Sequence, residues 1–461
     1  MRRLALPLAM AVGLVALPAF AEPPLAADAL VREVLARNPS AKARVLRRDA
    51  LGSDARAAGI YPDPLIAVMV DRVPQAAGGE MPMVRYQATQ MFPWPGKLPL
   101  MRVAVEYQRD ASGAELDVRN LDLRLQTKRA YYMLVLNTKR REINRASRSL
   151  AATVAQAALG RYAAGLGGHH DVVRAQVEVN ALDVDLVDLE GERGVAVAMI
   201  NALRDRPIDE PTGEPTLASS PRPEETVASL VEKANAQRPE LRGMRAMQSE
   251  ATSMADLARR ERYPDIMSSV WMNQNIGAPP SAGGMVGVTI PVFGLARQGH
   301  RASAFEARAR GAGEDAAAMR AMIRFEVAAA LVKVQTVARR VELIETVVAP
   351  KARESFESSL AGYGASTLDV LSLLDARRSL QSASLSLAEA QVEREVALAE
   401  LERAVAAPIG GSRGRARDDI VRAERRSSPG SCSPRGARRA TLTPATARAC
   451  RPGAPRSPPR P

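Results

Sequence analysis

The chain has 461 residues, 46% of them hydrophobic and 25% charged, with a formal net charge of +13. Residues 411–461 hold thirteen Arg against Asp418, Asp419 and Glu424, so +10 of that charge lies there and the other 410 residues carry only +3. A body this close to neutral has no nucleic-acid-binding charge. With three His, and with both Cys (Cys432, Cys450) in the basic segment, it has no Cys metal centre and no disulfide framework.

The elements follow in chain order. MRRLALPLAMAVGLVALPAFA (1–21) has two Arg, an apolar run broken by Pro7, Gly13 and Pro18, and an Ala-Phe-Ala cleavage site. It reads as a secretory signal peptide, which puts the mature chain outside the cytoplasm. A helix is expected over about 25–58, ended by Tyr61-Pro62-Asp63. Two strands follow, about 63–73 and 83–92, with the Pro/Gly linker PQAAGGEMP between them. In the second strand Val84, Tyr86 and Ala88 alternate with Arg85, Gln87 and Thr89, which gives one apolar and one polar face. A helix of about 98–160 comes next, then a Gly-rich turn, then a heptad helix that stops before Pro207.

The plan then repeats about 201 residues later. LVREVLARNP (30–39) matches LVEKANAQRP (230–239), and YPDPLIAV (61–68) matches YPDIMSSV (263–270). A helix over about 223–261, strands over about 265–276 and 283–293, and a helix over about 296–360 lead to a second turn and a second heptad helix. Val172, Val179 and Leu186 recur every seven residues beside Ala175, Leu182 and Leu189. Leu373, Leu380 and Leu387 do so beside Ala376, Ala383 and Ala390. Arg193 and Arg394 interrupt both seams at the same place; they read as snorkelling stems at a helix interface, with a pore-facing role as the alternative. Seven-residue seams predict left-handed, coiled-coil-like packing. The first unit spans 22–210, with its tip at about 160–171. The second spans 211–410, with its tip at about 361–369. Residues 411–461, rich in Pro and Arg, read as a disordered basic tail.

Beyond the signal, no segment is apolar enough for a membrane helix. The strands do have membrane-spanning length, about 9–11 residues. Two units supply four, and four strands cannot close a barrel in lipid, so the chain must oligomerise to make one.

The Tyr-Pro-Asp before each strand pair, QMFPWPGKL after the first, and the tips YAAGLGGHHDVVRAQVEV and YGASTLDVLSLLDARRSL resemble the TolC-type outer-membrane efflux family over about residues 25–407. The resemblance implies an α+β, mostly α fold with a duplicated helix-strand-strand-helix-helix unit. It implies a homotrimer whose twelve strands form one outer-membrane barrel, embedded in lipid and continued by a periplasmic α-helical barrel. Such a protein is the exit duct of a tripartite pump, docked through a periplasmic adaptor to an inner-membrane transporter of the RND type. The form of the first tip and FPWPGKL are similar to members that serve heavy-metal pumps, copper ones among them. The alternative of the same fold is a type I secretion conduit for polypeptide.

The family's tips meet the adaptor. Here these are Gly165, Leu166, Gly167 and Gly168, and Gly364, Ala365, Ser366, Thr367 and Leu368. Ser366 stands where the family has Gly, so a differently shaped second turn is expected. Asp375 matches the family's pore-side acid, and Asp369 would form a second ring. His169 and His170 are adjacent and diverging, which argues for a polar tip surface over a metal site; as metal ligands they are weak candidates that only the convergence of three copies in a trimer would bring together. The seventeen Met are scattered along the sequence without a cluster, as core fillers would be. With no Ser-His-Asp set, phosphate loop or Cys nucleophile, the chain reads as neither an enzyme nor a cofactor protein. It binds no nucleic acid.

Overall fold

The computed structural model describes residues 25–71, 83–218, 220–221, 223–275 and 279–409. The signal peptide, the first strand linker and the 411–461 tail lie outside the described residues.

Each unit begins with two helices rather than the single one expected. These are α1 (Ala27–Arg37) and α2 (Pro39–Ala58) in the first unit, and α5 (Val227–Gln237) and α6 (Pro239–Arg260) in the second. The breaks fall at Asn38-Pro39 and Arg238-Pro239. A residue before Pro is pushed out of the helical region, while Pro itself suits the first helical position. Asn38 and Arg238 accordingly have ψ near 120°, and the Asn38 side chain caps α2 by accepting from the Ser40 amide at 3.0 Å.

The strands are β1 (Leu65–Asp71), β2 (Met83–Phe92), β3 (Asp265–Asn275) and β4 (Ser281–Thr289). They form one antiparallel sheet in the order β1-β2-β3-β4, so the two units are joined through β2 and β3. β4 stops at Thr289 rather than reaching 293, because Pro291 has no N–H for a ladder and the chain turns into the next helix.

The register sorts the sheet's side chains. One face carries Ile66, Val68 and Val70, Tyr86 and Ala88, Ile266 and Val270, and Val286 and Val288. The other carries Arg85, Gln87 and Thr89 beside Ser269, Trp271 and Asn273. The apolar face is the exposed one: Ile66 is 76% and Val286 74% exposed, whereas Ser269 is 2% exposed. Arg85 hydrogen-bonds Asn273 at 2.9 Å, and Thr89 and Ser269 pair at 2.8 Å. A water-soluble sheet hides its apolar face, and this one is turned inside out.

The helix α3 (Lys97–Ala163) runs 67 residues without a break, about 100 Å at 1.5 Å per residue. After a turn, α4 (His169–Arg204) comes back along it. In the second unit the long helix is interrupted, against expectation. It runs as α7 (Gly294–Leu343), a π turn (Ile344–Val348) and α8 (Ala349–Gly364). Pro350 lacks an N–H, and its ring crowds the Thr346 carbonyl, so the turn widens and the Ala349 amide reaches back to Ile344. The matching position of α3 is Ser149, and α3 passes through it unbroken. α9 (Val370–Val405) completes the fold.

Near the sheet, α2 and α6 pack on α3, and α6 packs on α7. Farther along, the order is α4, α3, α9, then α7 and α8. Four helices thus lie side by side at each level, with α4 and the α7–α8 segment at opposite edges. Among the described residues four clusters hold the layer, the smallest of them Ala151, Val179 and Leu182 between α3 and α4. Of the others, one is built around Leu123, Leu134 and Ile200, a second around Leu230, Ile323 and Leu401, and a third at the tips around Val154, Phe356 and Leu373. Among the described residues no helix is long and apolar enough to cross a membrane.

Candidate functional site

The two hairpin tips are built alike. In the first, the amides of Ala164, Gly165 and Leu166 bond back to Gly160, Tyr162 and Arg161, and Gly165 adopts φ +69°. In the second, the amides of Ala365, Ser366 and Thr367 bond back to Ala361, Tyr363 and Gly362, and Ser366 adopts φ +60°. The expectation of a different second turn is therefore corrected. Ser366 accepts the left-handed conformation that Gly165 adopts freely, because the helix-ending hydrogen bonds over-determine it. Thr367 Oγ1 adds a bond to the Gly362 carbonyl at 2.9 Å.

Past the turns, Gly168 caps α4 and Asp369 caps α9. The Asp369 carboxylate accepts from the Ser372 amide at 3.0 Å, and the hydrogen bonding to Ser372 holds its pKa below the ordinary range. Asp375 is exposed, two residues before the buried Arg377. The histidines diverge: the His169 ring lies 5.6 Å from the Tyr162 ring, and His170 Nδ1 lies 3.2 Å from Asp171 Oδ1. Among the described residues, no three His, Cys, Asp or Glu side chains gather at a metal-binding spacing.

Two contacts absent from the expectations above bind one hairpin to the other. Arg161 Nη1 donates to the Tyr363 carbonyl at 2.6 Å, and its guanidinium stacks 4.6 Å from the Tyr363 ring centroid. Deeper in, Glu178 of α4 is held between Arg377 and Arg378 of α9. Arg377 is 1% exposed and bonds Glu178 Oε1, while Arg378 Nη2 reaches Oε2 at 2.5 Å. The Arg378 hydrogen bond holds the Glu178 carboxyl below its usual range, against the opposing effect of burial. Burial in turn draws Arg377 down. A signal for this pair was present in the sequence. With Val172 and Leu373 as a positions, Glu178 is a g and Arg377 an e, the positions that carry interhelical ion pairs in coiled coils.

The duplicated hairpins, their tips and the inside-out sheet converge with one comparison. Residues 230–407, from within α5 to just past α9, match the family described as outer membrane efflux protein. The chain resembles that family over this second unit. The chain is similar to the cobalt-zinc-cadmium resistance protein CzcC of Cupriavidus metallidurans, at 24% identity over 410 residues, 84% of this chain and 95% of that one. Its fold is shared with CusC, a transmembrane channel protein, at TM-score 0.72 and 16% identity, over 84% of this chain and 92% of that one. The outer membrane protein VceC of Vibrio cholerae aligns at TM-score 0.69 and 19% identity, over 83% and 96%.

Proposed function

We infer that three copies close around one axis into a passive exit duct for metal ions. Its three four-stranded sheets form a twelve-stranded barrel in outer-membrane lipid, and its helices form a twelve-helix periplasmic tube. The paired tips are where a periplasmic adaptor docks, and through it an inner-membrane transporter of the RND type supplies the energy. The observation that carries this reading is the sheet. Its exposed face is apolar, its other face is polar, and β1 and β4 lie at its edges. In lipid, open edges must be closed and the apolar face must point outward.

The helices support the same closure. α4 carries seven acidic and three basic residues, net −4, while α7 carries nine basic and five acidic, net +4. Each of these edge elements also exposes an apolar stripe. On α4 it is Val177 (60% exposed), Val184 (63%) and Val195 (67%), and on the other edge Phe325 (67%), Val332 (59%) and Val347 (49%). A head-to-tail contact of one edge on the opposite edge of the next copy closes a ring. The similarity to a cobalt-zinc-cadmium resistance protein supports metal ions as cargo.

In a ring with its axis along the helices, residues equally far from the tips are level. Val184 lies 16 residues past Gly168 and Val348 lies 17 before Ala365, both about 25 Å along their helices. Val184→Cys with Val348→Cys, in a Cys432→Ser/Cys450→Ser background, should therefore cross-link copies into covalent trimers on oxidation. A chain inserted in the outer membrane that gives only monomer bands would refute this closure.

A further inference from the structure

Sulfur is unevenly distributed over the sheet. Six methionines lie in β1–β4. Met is an apolar side chain, so methionines serving only as filler in a lipid-facing sheet belong on the apolar face. The register puts one there, Met272, between Tyr86 of β2 and Ala282 of β4. The other five, Met69, Met83, Met91, Met267 and Met285, share the polar face with Arg85, Gln87, Thr89 and Asn273. This corrects the expectation of methionines without a cluster: they are far apart in sequence and are brought together by cross-strand pairing.

Three of them form a contiguous band over three neighbouring strands. Met91 and Met267 are direct cross-strand partners, with Cβ atoms about 5 Å apart. Met285 sits on β4 opposite Ser269, diagonal to Met267, a separation that long side chains span. Met267 lies opposite Gly287, and with no side chain there it leans across β4: a Cβ on Gly287 would meet its methyl at 3.5 Å. The nearby carboxylate of Asp265, at the foot of the same face, is already engaged by Lys97 Nζ and by the Trp94 amide, each at 2.7 Å.

We propose that Met91, Met267 and Met285 form a thioether site for soft monovalent metal ions, Cu(I) or Ag(I), at the point where the helical duct opens into the barrel. Thioethers select such ions, whereas zinc and cobalt sites draw on imidazole and carboxylate. A neutral, partly exposed thioether set binds weakly enough to release its ion, as conduction requires. The proposal rests on the reading of the polar face as a channel lumen, and it narrows the cargo from metal ions in general to this class.

The test uses the full-length protein, purified in detergent with Cys432→Ser and Cys450→Ser so that no thiol competes. Ag(I) in chloride-free buffer is titrated calorimetrically into this protein, into Met91→Leu/Met267→Leu/Met285→Leu, and into His169→Gln/His170→Gln. The triple variant should bind silver at least about tenfold more weakly, since even an outer-shell partner is worth that much to a metal site. The histidine variant should bind as the parent does, and so should Met272→Leu on the apolar face. Silver should also shift the methyl signals of Met91, Met267 and Met285 in methyl-13C-methionine spectra of the parent, which decides the matter should the triple variant not assemble. Unchanged silver affinity in an assembled triple variant, loss of binding in the histidine variant, or methyl shifts confined to other methionines would overturn the proposal. Particle mass, measured on the same samples, reports separately on whether the chain assembles at all.

Discussion

Glu178 shows how one residue can hold two hairpins in register. Its carboxylate lies between Arg377 and Arg378, and Arg377 has almost no contact with water. Removing one partner from a buried ion pair leaves the other charge stranded, at a cost of about 3–5 kcal/mol. Glu178→Ala should therefore loosen the tips by that order, read as faster proteolysis or amide exchange around 160–170 and 360–370. Glu178→Gln keeps hydrogen bonding but not charge, and should fall between. Because the folded state lowers the Glu178 pKa, its stabilisation is complete above the ordinary value of 4.5. It is lost as the pH falls through the lowered folded value. Amide protection at the tips should thus be flat through neutral pH and drop only in acid, and a drop already at neutral pH would overturn this account. At Ser366 the sign is reversed. A non-glycine residue at φ +60° is disfavoured by about 1 kcal/mol. Ser366→Gly should raise the melting temperature slightly, by less than that strain implies, because Gly is freer in the unfolded chain. A lower melting temperature would mean that the Ser side chain contributes more than the turn costs.

Among the elements, the second unit's long helix differs from its counterpart. The π turn at 344–348 buries none of its side chains and leaves Val347 and Val348 half exposed. Opposite them α9 presents Ser379, Ser382 and Ser386, too small to fill the space, and a groove of about 770 Å³ results. Lys351 and Arg378 stand at its sides. If Pro350 causes the wide turn, Pro350→Ala should restore the regular ladder. The variant should be more stable, by up to the roughly 3 kcal/mol that proline costs inside a helix, with amide protection gained at 344–350. A π turn that survives the substitution would shift the cause to packing against α9. The two units thus share one plan, and one of their long helices widens into a π turn just before Pro350 where the other runs unbroken.

For the whole molecule, the acidic rings can be tested once the duct is closed. In a three-fold ring Asp375 supplies three carboxylates at one level, and Asp369 supplies three more nearer the tips. Such rings attract cations. Asp375→Ala should raise single-channel conductance or weaken divalent-cation block in a planar bilayer. Asp369→Ala should do so less, and should also lose the cap on the Ser372 amide. Asp185, exposed on the α4 edge, is the control and should change neither. An effect from Asp369 without one from Asp375 would place the constriction at the turn. No effect from either would move it to the first tip, around His169, His170 and Asp171.

Periodicity made the duplication, the strands' two faces and the heptad helices legible from the chain alone. Seven-residue and two-residue repeats are local consequences of helix and strand geometry, and they survive without knowledge of partners. The proline breaks at 39 and 239 were equally local and were there to be seen, as were Glu178 and Arg377 at g and e. What only the tertiary structure decided were relations between distant residues. Arg161 meets Tyr363 across 202 positions, and Ser366 is pressed into the conformation of a glycine by hydrogen bonds around it. Met91 stands beside Met267 because β2 pairs with β3 in one register and no other. A shift of one residue would have sent one of those two thioethers to the apolar face. Composition counts methionines and periodicity sorts them by face within a strand. Only the pairing between strands says which of them are neighbours.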